Sequence, residues 1–305
     1  MKEGKQRREH QHQVLTFLQA QVSTGAWQFN LPHGWGHETY LAQCGALACF
    51  VKLGARVELY QVLSAAGLTP PVLAAGNLPD GTTVLVQTAV RGRNPSDSDF
   101  AVHAQLMAEV LSAVHRSGEL KHLLAPIPSE AYSDLAVSAA HHISDKWQRC
   151  RGLVPAAAGE VDAGLETLLA QAQALTDTGS AASHNDICNA NWLISVDGQV
   201  YLIDLDAMTL DDPALDLGAF LWWYFPPERR ADFLNTAGYK DSPALRERMR
   251  VRMALHCLNI LLPRADSFDR FEPDSFEDAL VDFRATLAGE ENPQGYPGWN
   301  AGGRV

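Results

Sequence analysis

A two-residue turn signal inside a largely helical half of the chain constrains the fold most. Asp197-Gly198 separates two short apolar runs, Trp192-Leu193-Ile194 and Val200-Tyr201-Leu202-Ile203. Asp-Gly between such runs marks a β-hairpin, because the tight turn needs positive φ. A hairpin folds back on itself, so the residue just before its first strand and the one ending its second come close together. Those residues are Asn191 and Asp204. An amide oxygen and a carboxylate are hard donors of the kind Mg²⁺ takes, with water and phosphate oxygens filling the rest of its shell. Asp186, a few residues upstream, can accept the proton of a hydroxyl nucleophile. Together the three supply the minimum chemistry for moving a phosphoryl group from ATP.

Composition excludes several other classes. At 305 residues the chain can bury a large core and build two lobes. A formal charge of −12 disfavours nucleic acid or an anionic membrane surface as partner. It suits a cationic small molecule, and it suits solubility equally. No apolar run approaches bilayer-spanning length. Met1 to Gln13 is charged and polar, unlike a secretory signal. Five cysteines without paired spacing argue against a disulfide framework and for a reducing, cytoplasmic setting. The pattern carries no signature of a particular oligomeric state.

Periodicity divides the chain in two. Val14–Val22 reads as an opening helix, followed by strands at Trp27–Asn30, Thr39–Cys44 and Ala46–Leu53. Val57–Ala66 is helical and ends at Gly67 and Pro70-Pro71. Strands follow at Val72–Ala75 and Thr83–Val90, with Pro79-Asp80-Gly81 as the turn between them. Gly92-Arg93-Asn94-Pro95 closes this β-rich part. Beyond it the spacing predicts one long helix from about Ser96 to His115. Further helices are predicted at Ala131–Trp147, Val161–Leu175, Ala214–Tyr224, Ala231–Asn235, Ala244–Leu262 and Ser275–Leu287. The Gly- and Pro-rich tail from Asn292 reads as poorly ordered unless docked.

His184-x-Asp186-x-x-x-x-Asn191 followed by Ile203-Asp204-x-Asp206 resembles the catalytic and metal segments of the aminoglycoside phosphotransferase and choline kinase superfamily, whose fold is similar to that of protein kinases. The likeness extends to Asp211-Asp212-Pro213-Ala214-Leu215-Asp216-Leu217-Gly218 downstream. Upstream it extends to Leu111-Ser112-Ala113-Val114-His115 and to Val51-Lys52-Leu53. The specific part runs from His184 to Gly218; weaker likeness covers about Phe29 to Tyr224. The resemblance implies an α+β, bilobal, protein-kinase-like fold. A nucleotide-clamping lobe would span 1–91, a larger, mostly helical catalytic and substrate lobe 92–290, and a flexible tail 291–305. ATP would lie between the lobes.

The resemblance also implies roles. Asp186 takes the position of the catalytic base. Asn191 and Asp204 hold Mg²⁺, and Lys52 grips the nucleotide phosphates. His184 is a structural member of the loop, and Asp216 supports that loop through buried hydrogen bonds. A clamp lysine needs a carboxylate to hold it, and Glu58 is the only acid in the next helix. Gly34-Trp35-Gly36-His37 is the candidate phosphate loop, since small residues let backbone N–H groups approach anions; two glycines equally make a plain turn. His33 and His37 lack a third ligand nearby for a metal of their own. Gln87 and Ala89 fall where the hinge meets adenine through its backbone. Trp222 and Trp223 could face a cationic acceptor by cation–π attraction, or simply pack a helix. Glu228 could bind an amine or be solvated. Asp211 and Asp212 precede Pro213, where anions suit a helix N-terminus.

The expectation is an ATP- and Mg²⁺-dependent phosphotransferase acting on a hydroxyl of a small, amine-bearing molecule, aminoglycoside phosphotransferase-like. Asn185, in His-Asn-Asp, leans toward choline and ethanolamine kinases, while Leu205 replaces the Trp common after the metal Asp in that branch. The rival of another class is a silent kinase fold used for nucleotide sensing or interaction, and the joint presence of Lys52, Asp186, Asn191 and Asp204 argues against it.

Overall fold

The computed structural model describes residues 2–30, 38–125, 135–175, 179–263 and 271–300. The chain forms two compact units, one of residues 1–94 with 192–206 and one of 95–191 with 207–305.

The first unit opens with α1 (Lys2–Gln21). The apolar spacing marked only its second half, because Lys2 to Gln13 offers no apolar stripe. Five strands form one antiparallel sheet in the order β1 (Gln28–Asn30), β2 (Thr39–Cys44), β3 (Leu47–Leu53), β5 (Thr83–Thr88), β4 (Val72–Asn77). Val14 and Leu18 of α1 pack with Tyr40, Cys49, Val51, Val84 and Val86 in a core closed to water. The helix α2 (Val57–Ala65) buries Val57, Leu59, Tyr60 and Leu63.

The hairpin expected from Asp197-Gly198 is present. β8 (Trp192–Ser195) pairs with β9 (Val200–Leu202), and Gly198 takes φ 84° in the turn. The linear reading assigns this hairpin to the second lobe, whereas it groups with the first unit. The cause is pairing: β6 (Gly92–Arg93) runs antiparallel to β8, and the Leu202 amide donates to the Leu68 carbonyl at 2.8 Å.

The second unit is mostly helical. The predicted helix to His115 breaks at His103 (φ −105°, ψ 10°) into α3 (Asp97–Val102) and α4 (Ala104–Arg116). α5 (Gly118–Leu124), α6 (Leu135–Cys150) and α7 (Pro155–Ala174) follow. β7 (Ala181–Ser183) pairs antiparallel with β10 (Thr209–Asp211) on either side of the excursion into the first unit. Then come α8 (Ala214–Tyr224), α9 (Pro227–Thr236), α10 (Pro243–Leu261), α11 (Pro273–Ala279), α12 (Val281–Ala288) and α13 (Pro297–Asn300). Helices α7, α9, α10 and α11 each start on a proline, which fits the first turn because its missing N–H would have no helical partner. α8 is apolar on almost every side and is buried accordingly. Gly218 lets it approach α10: a Cβ there would lie 2.7 Å from the Met249 carbonyl oxygen.

The described part of the expected tail is docked. Residues 291–300 are held by specific hydrogen bonds to α8 and α9, and only 301–305 lie outside the described residues. The Tyr296 hydroxyl lies 3.1 Å from the Trp222 carbonyl, Asn292 Nδ2 donates to the Trp223 carbonyl at 3.2 Å, and Trp299 Nε1 donates to the Tyr224 carbonyl at 2.8 Å.

Candidate active site

In the first unit, Lys52 is the next-to-last residue of β3 and is 6 % exposed. Its Nζ lies 2.6 Å from Asp204 Oδ1, 3.2 Å from the Tyr60 hydroxyl, and in contact with the Asp206 carboxylate. The Tyr60 hydroxyl accepts from Lys52 and from the Leu205 amide at 3.1 Å, and donates to Asp206 Oδ2 at 3.3 Å. All three of its hydrogen-bonding positions are therefore used. Asp206 also accepts from the Arg56 amide at 3.3 Å.

Burial disfavours a charged ammonium, but the Tyr60 oxygen and the two carboxylates outweigh it and raise the Lys52 pKa. Burial pushes the Tyr60 phenol up to about 12, so it stays a neutral donor. Asp204 sits at φ 58°, a left-handed conformation that Asp tolerates better than most residues. Its carboxylate is about half exposed.

Glu58 is not the partner of Lys52. It is exposed on α2, while Tyr60 shares the buried face with Val57 and Leu63. Helical spacing puts 57 and 60 on one side and turns 58 about 100° away. The acids that hold the lysine come instead from the segment after β9. One of them, Asp206, is the second acid of the Asp204-x-Asp206 motif. Tyr60 was missed; its one available signal was three-residue spacing from Val57, which puts it on the buried face.

The second unit carries the His184–Asn191 loop, which leaves β7. Asp216, in the first turn of α8 and fully buried, organises it. Its carboxylate accepts from the His184 amide at 2.7 Å, the Asn185 amide at 2.9 Å and His115 Nε2 at 3.0 Å. His115 reaches Tyr239 through Nδ1 at 2.7 Å. Burial would raise the Asp216 pKa, but His115, His184 and the loop amide hold it below the usual carboxylate range. Asn185 takes φ 65° and donates to the Thr209 hydroxyl at 2.6 Å.

That turn leaves Asp186 exposed at the loop surface. Asn191 is buried, and its Nδ2 donates to the Asp186 carbonyl at 2.6 Å, which leaves its amide oxygen for another partner. Asp212 caps α8 by accepting from the Ala214 amide at 2.9 Å and also binds Arg248. Asp211 accepts from Arg252 Nη2 at 2.8 Å with both oxygens.

Other expected positions divide. Gly34 and Gly36, with His33 and His37, lie outside the described residues. Gln87 is buried with its side chain on the Pro70 carbonyl at 2.7 Å, and the Ala89 amide already donates to Ala48 at 3.0 Å. Of the expected hinge backbone, the Ala89 N–H is thus already paired. Trp222 is packed away with its indole N–H on the Glu290 carbonyl at 3.0 Å. Glu228 is exposed on α9.

Trp223 instead lines a cavity of about 410 Å³ with Cys188 of the loop, Phe100 and Tyr224. Tyr224 stacks on Phe100 at 4.2 Å, and its hydroxyl accepts from the Asn189 amide at 3.0 Å. Its role was missed, because the aromatic run shows no preference for 224 over 222.

Among the described residues, no group of three or more His, Cys, Asp or Glu side chains is arranged to hold a metal alone. The oxygen donors of Asn191 and Asp204 are nevertheless of the type Mg²⁺ takes when phosphate completes its shell.

The model of the phosphotransferase enzyme family matches residues 31–251. Among solved structures, the choline kinase LicA from Streptococcus pneumoniae superposes with a TM-score of 0.66 at 16 % identity, covering 92 % of this chain and 99 % of that one. The GDP and kanamycin complex of APH(2")-IIIa gives 0.66 at 13 % identity, covering 90 % and 98 %. Spectinomycin phosphotransferase APH(9)-Ia, with ADP and spectinomycin, gives 0.63 at 12 % identity, covering 90 % and 93 %. These likenesses carry the α+β kinase-like fold, and the family match carries the class of enzyme. The chain belongs to the phosphotransferase enzyme family and is a phosphotransferase.

Proposed function

We propose that the enzyme transfers the γ-phosphate of ATP to a hydroxyl of a small, amine-bearing molecule, with Mg²⁺ as cofactor. The observation that supports this most is the buried Lys52 held by Asp204, Asp206 and Tyr60. A lysine kept charged inside a β-rich unit is suited to phosphate oxygens. Asp204 and Asn191 would hold Mg²⁺, which when bound neutralises charge on the phosphate oxygens. Chain continuity favours the pair: Asn191 immediately precedes β8, and Asp204 follows β9, whose Leu202 pairs with Trp192. Asp186, exposed on a loop fixed by Asp216, orients the acceptor hydroxyl and takes its proton. The remaining work is positioning.

An amino alcohol of the choline or ethanolamine type is the second reading of the acceptor, favoured by the aromatic cavity beside Cys188. An ATP-consumption screen over aminoglycosides, choline, ethanolamine and sugars tests the activity. Asp204→Ala is expected to lose Mg²⁺-dependent nucleotide binding in a thermal-shift assay. A wild-type chain that shows no nucleotide response with Mg²⁺ overturns the proposal.

A further inference from the structure

A separate cavity of about 340 Å³ opens among α8, α9, α10 and α12, and none of Lys52, Asp186, Asn191 or Asp204 lines it. Its floor is apolar, with Leu221 of α8, Leu234 of α9, and Met249 and Met253 of α10. Methionine is unbranched and adapts to what it packs against. Arg246 and Arg250 each precede one of these methionines by three residues. Helical spacing therefore puts Arg246, Met249, Arg250 and Met253 on one face of α10. Arg246 is 68 % exposed and Arg250 24 %, so the arginines stand toward the mouth and the buried methionines below them.

Much of the rim's charge is already matched. Arg230 meets both Glu291 oxygens and the Tyr296 hydroxyl, and its Nε donates to the Phe225 carbonyl at 3.0 Å. Arg246 meets Asp241 through Nε and Nη2, and Arg250 meets Glu247 through the same two nitrogens. Both arginines thus keep Nη1 in reserve. That of Arg250 has one long bond, 3.4 Å, to the Leu287 carbonyl; that of Arg246 has no partner among the described residues. Like charges four residues apart repel on a helix, which favours an anion between them. Glu290 is the counterpart. It is exposed, and it is the one acid of the lining without an ion pair among the described residues. Its neighbour Gly289 lies against Arg250: a Cβ there would be 3.8 Å from the Arg250 Cδ. Unused donors and an unused acceptor therefore adjoin over one apolar floor. A bare carboxylate would meet Glu290 and a bare ammonium would meet the arginines, whereas a zwitterion matches both.

We propose that this cavity is a second ligand site, which takes a free α-amino acid with a large apolar side chain. Its carboxylate would sit on Arg246 and Arg250, its ammonium at Glu290, and its side chain over Leu221, Leu234 and the two methionines. The volume is at the small end for ligand sites and suits one amino acid rather than a peptide. The occupant would pack against α8, the helix whose Asp216 fixes the His184 loop. The site is independent of the phosphotransfer reading.

The test is calorimetric titration of the full-length chain with L-phenylalanine, with 3-phenylpropanoate, which lacks the ammonium, with phenethylamine, which lacks the carboxylate, and with L-alanine, which lacks the apolar body. L-Phenylalanine should bind roughly tenfold or more tightly than each of the other three, the scale of one lost charged hydrogen bond or one buried side chain. Glu290→Gln should weaken L-phenylalanine roughly tenfold and leave 3-phenylpropanoate no weaker. Arg246→Gln with Arg250→Gln should weaken L-phenylalanine at least as much and spare phenethylamine. The unfolding temperature without ligand reports that each variant is folded. The four-ligand comparison on the wild type stands whether or not the variants fold. A wild-type chain that ignores L-phenylalanine, or that binds any of the other three as tightly, overturns the inference. Folded variants that bind L-phenylalanine unchanged overturn it as well.

Discussion

Asp204 and Asp216 are the same residue type put to opposite uses. Asp204 is half exposed, takes a left-handed backbone conformation and shares a lysine with Asp206. Asp216 is fully buried and spends its oxygens on two loop amides and His115. The difference teaches which acid can change partners. A carboxylate in water can release an ammonium and take a cation at small cost, whereas one sealed among amides cannot leave without orphaning them. The first kind suits chemistry and the second architecture, and Asp186 belongs with the first by its exposure.

The sharpest way to break this division is Asp186→Ala. Turnover should fall by roughly 10²- to 10⁴-fold, the range for a lost general base, with ATP affinity and melting temperature unchanged. A fall in stability instead would make Asp186 structural. Asp216→Ala should do the reverse, costing about 3 kcal/mol or more in urea unfolding because His115 and two buried amides lose their acceptor. A stability close to wild type there would undo the contrast.

Tyr60→Phe comes next. It removes the hydroxyl that links Lys52, Asp206 and the Leu205 amide, and should cost about 1 to 2 kcal/mol and raise the KM for ATP several-fold. Glu58→Gln should leave both quantities within error. Equal effects from the two would restore Glu58 as the lysine's partner.

The smallest expected effect concerns α1. His10 donates or accepts at 2.7 Å with Glu38 and 3.1 Å with Asp80, and the Glu38 hydrogen bond raises its pKa. A raised pKa means the charged pair stabilises fully below the unfolded value near 6.5 and is lost as pH climbs through the folded one. Unfolding free energy should therefore drop by less than about 1 kcal/mol as pH rises from 6 through that window. His10→Gln should flatten the slope, and an unchanged slope would assign it to another group.

Much of this was legible in the residues themselves. β2, β3 and β5 were found because apolar runs there are long and bounded, and the hairpin because Asp197-Gly198 admits few alternatives. The loop from His184 and the role of Asp216 followed from the resemblance, and the buried hydrogen bonds of Asp216 agree with it. What was hidden depends on contacts between distant residues. Strands of two or three residues such as β6, β7 and β10 are too short to show alternation. Tyr60 as the lysine's anchor needed the direction of a helix face. The 291–299 segment read as a loose tail, since Gly and Pro content says nothing of indole and phenol donors finding carbonyls elsewhere.

One consequence concerns the order of folding. The Tyr224 carbonyl waits for a donor 75 residues later in the chain. The final turn of α8 therefore cannot be completed locally, and closing so long a loop is slow relative to forming the helix itself. During synthesis the aromatic run at 222–224 emerges well before its partners. Until they arrive, a fraying helix end would be what a chaperone or protease encounters.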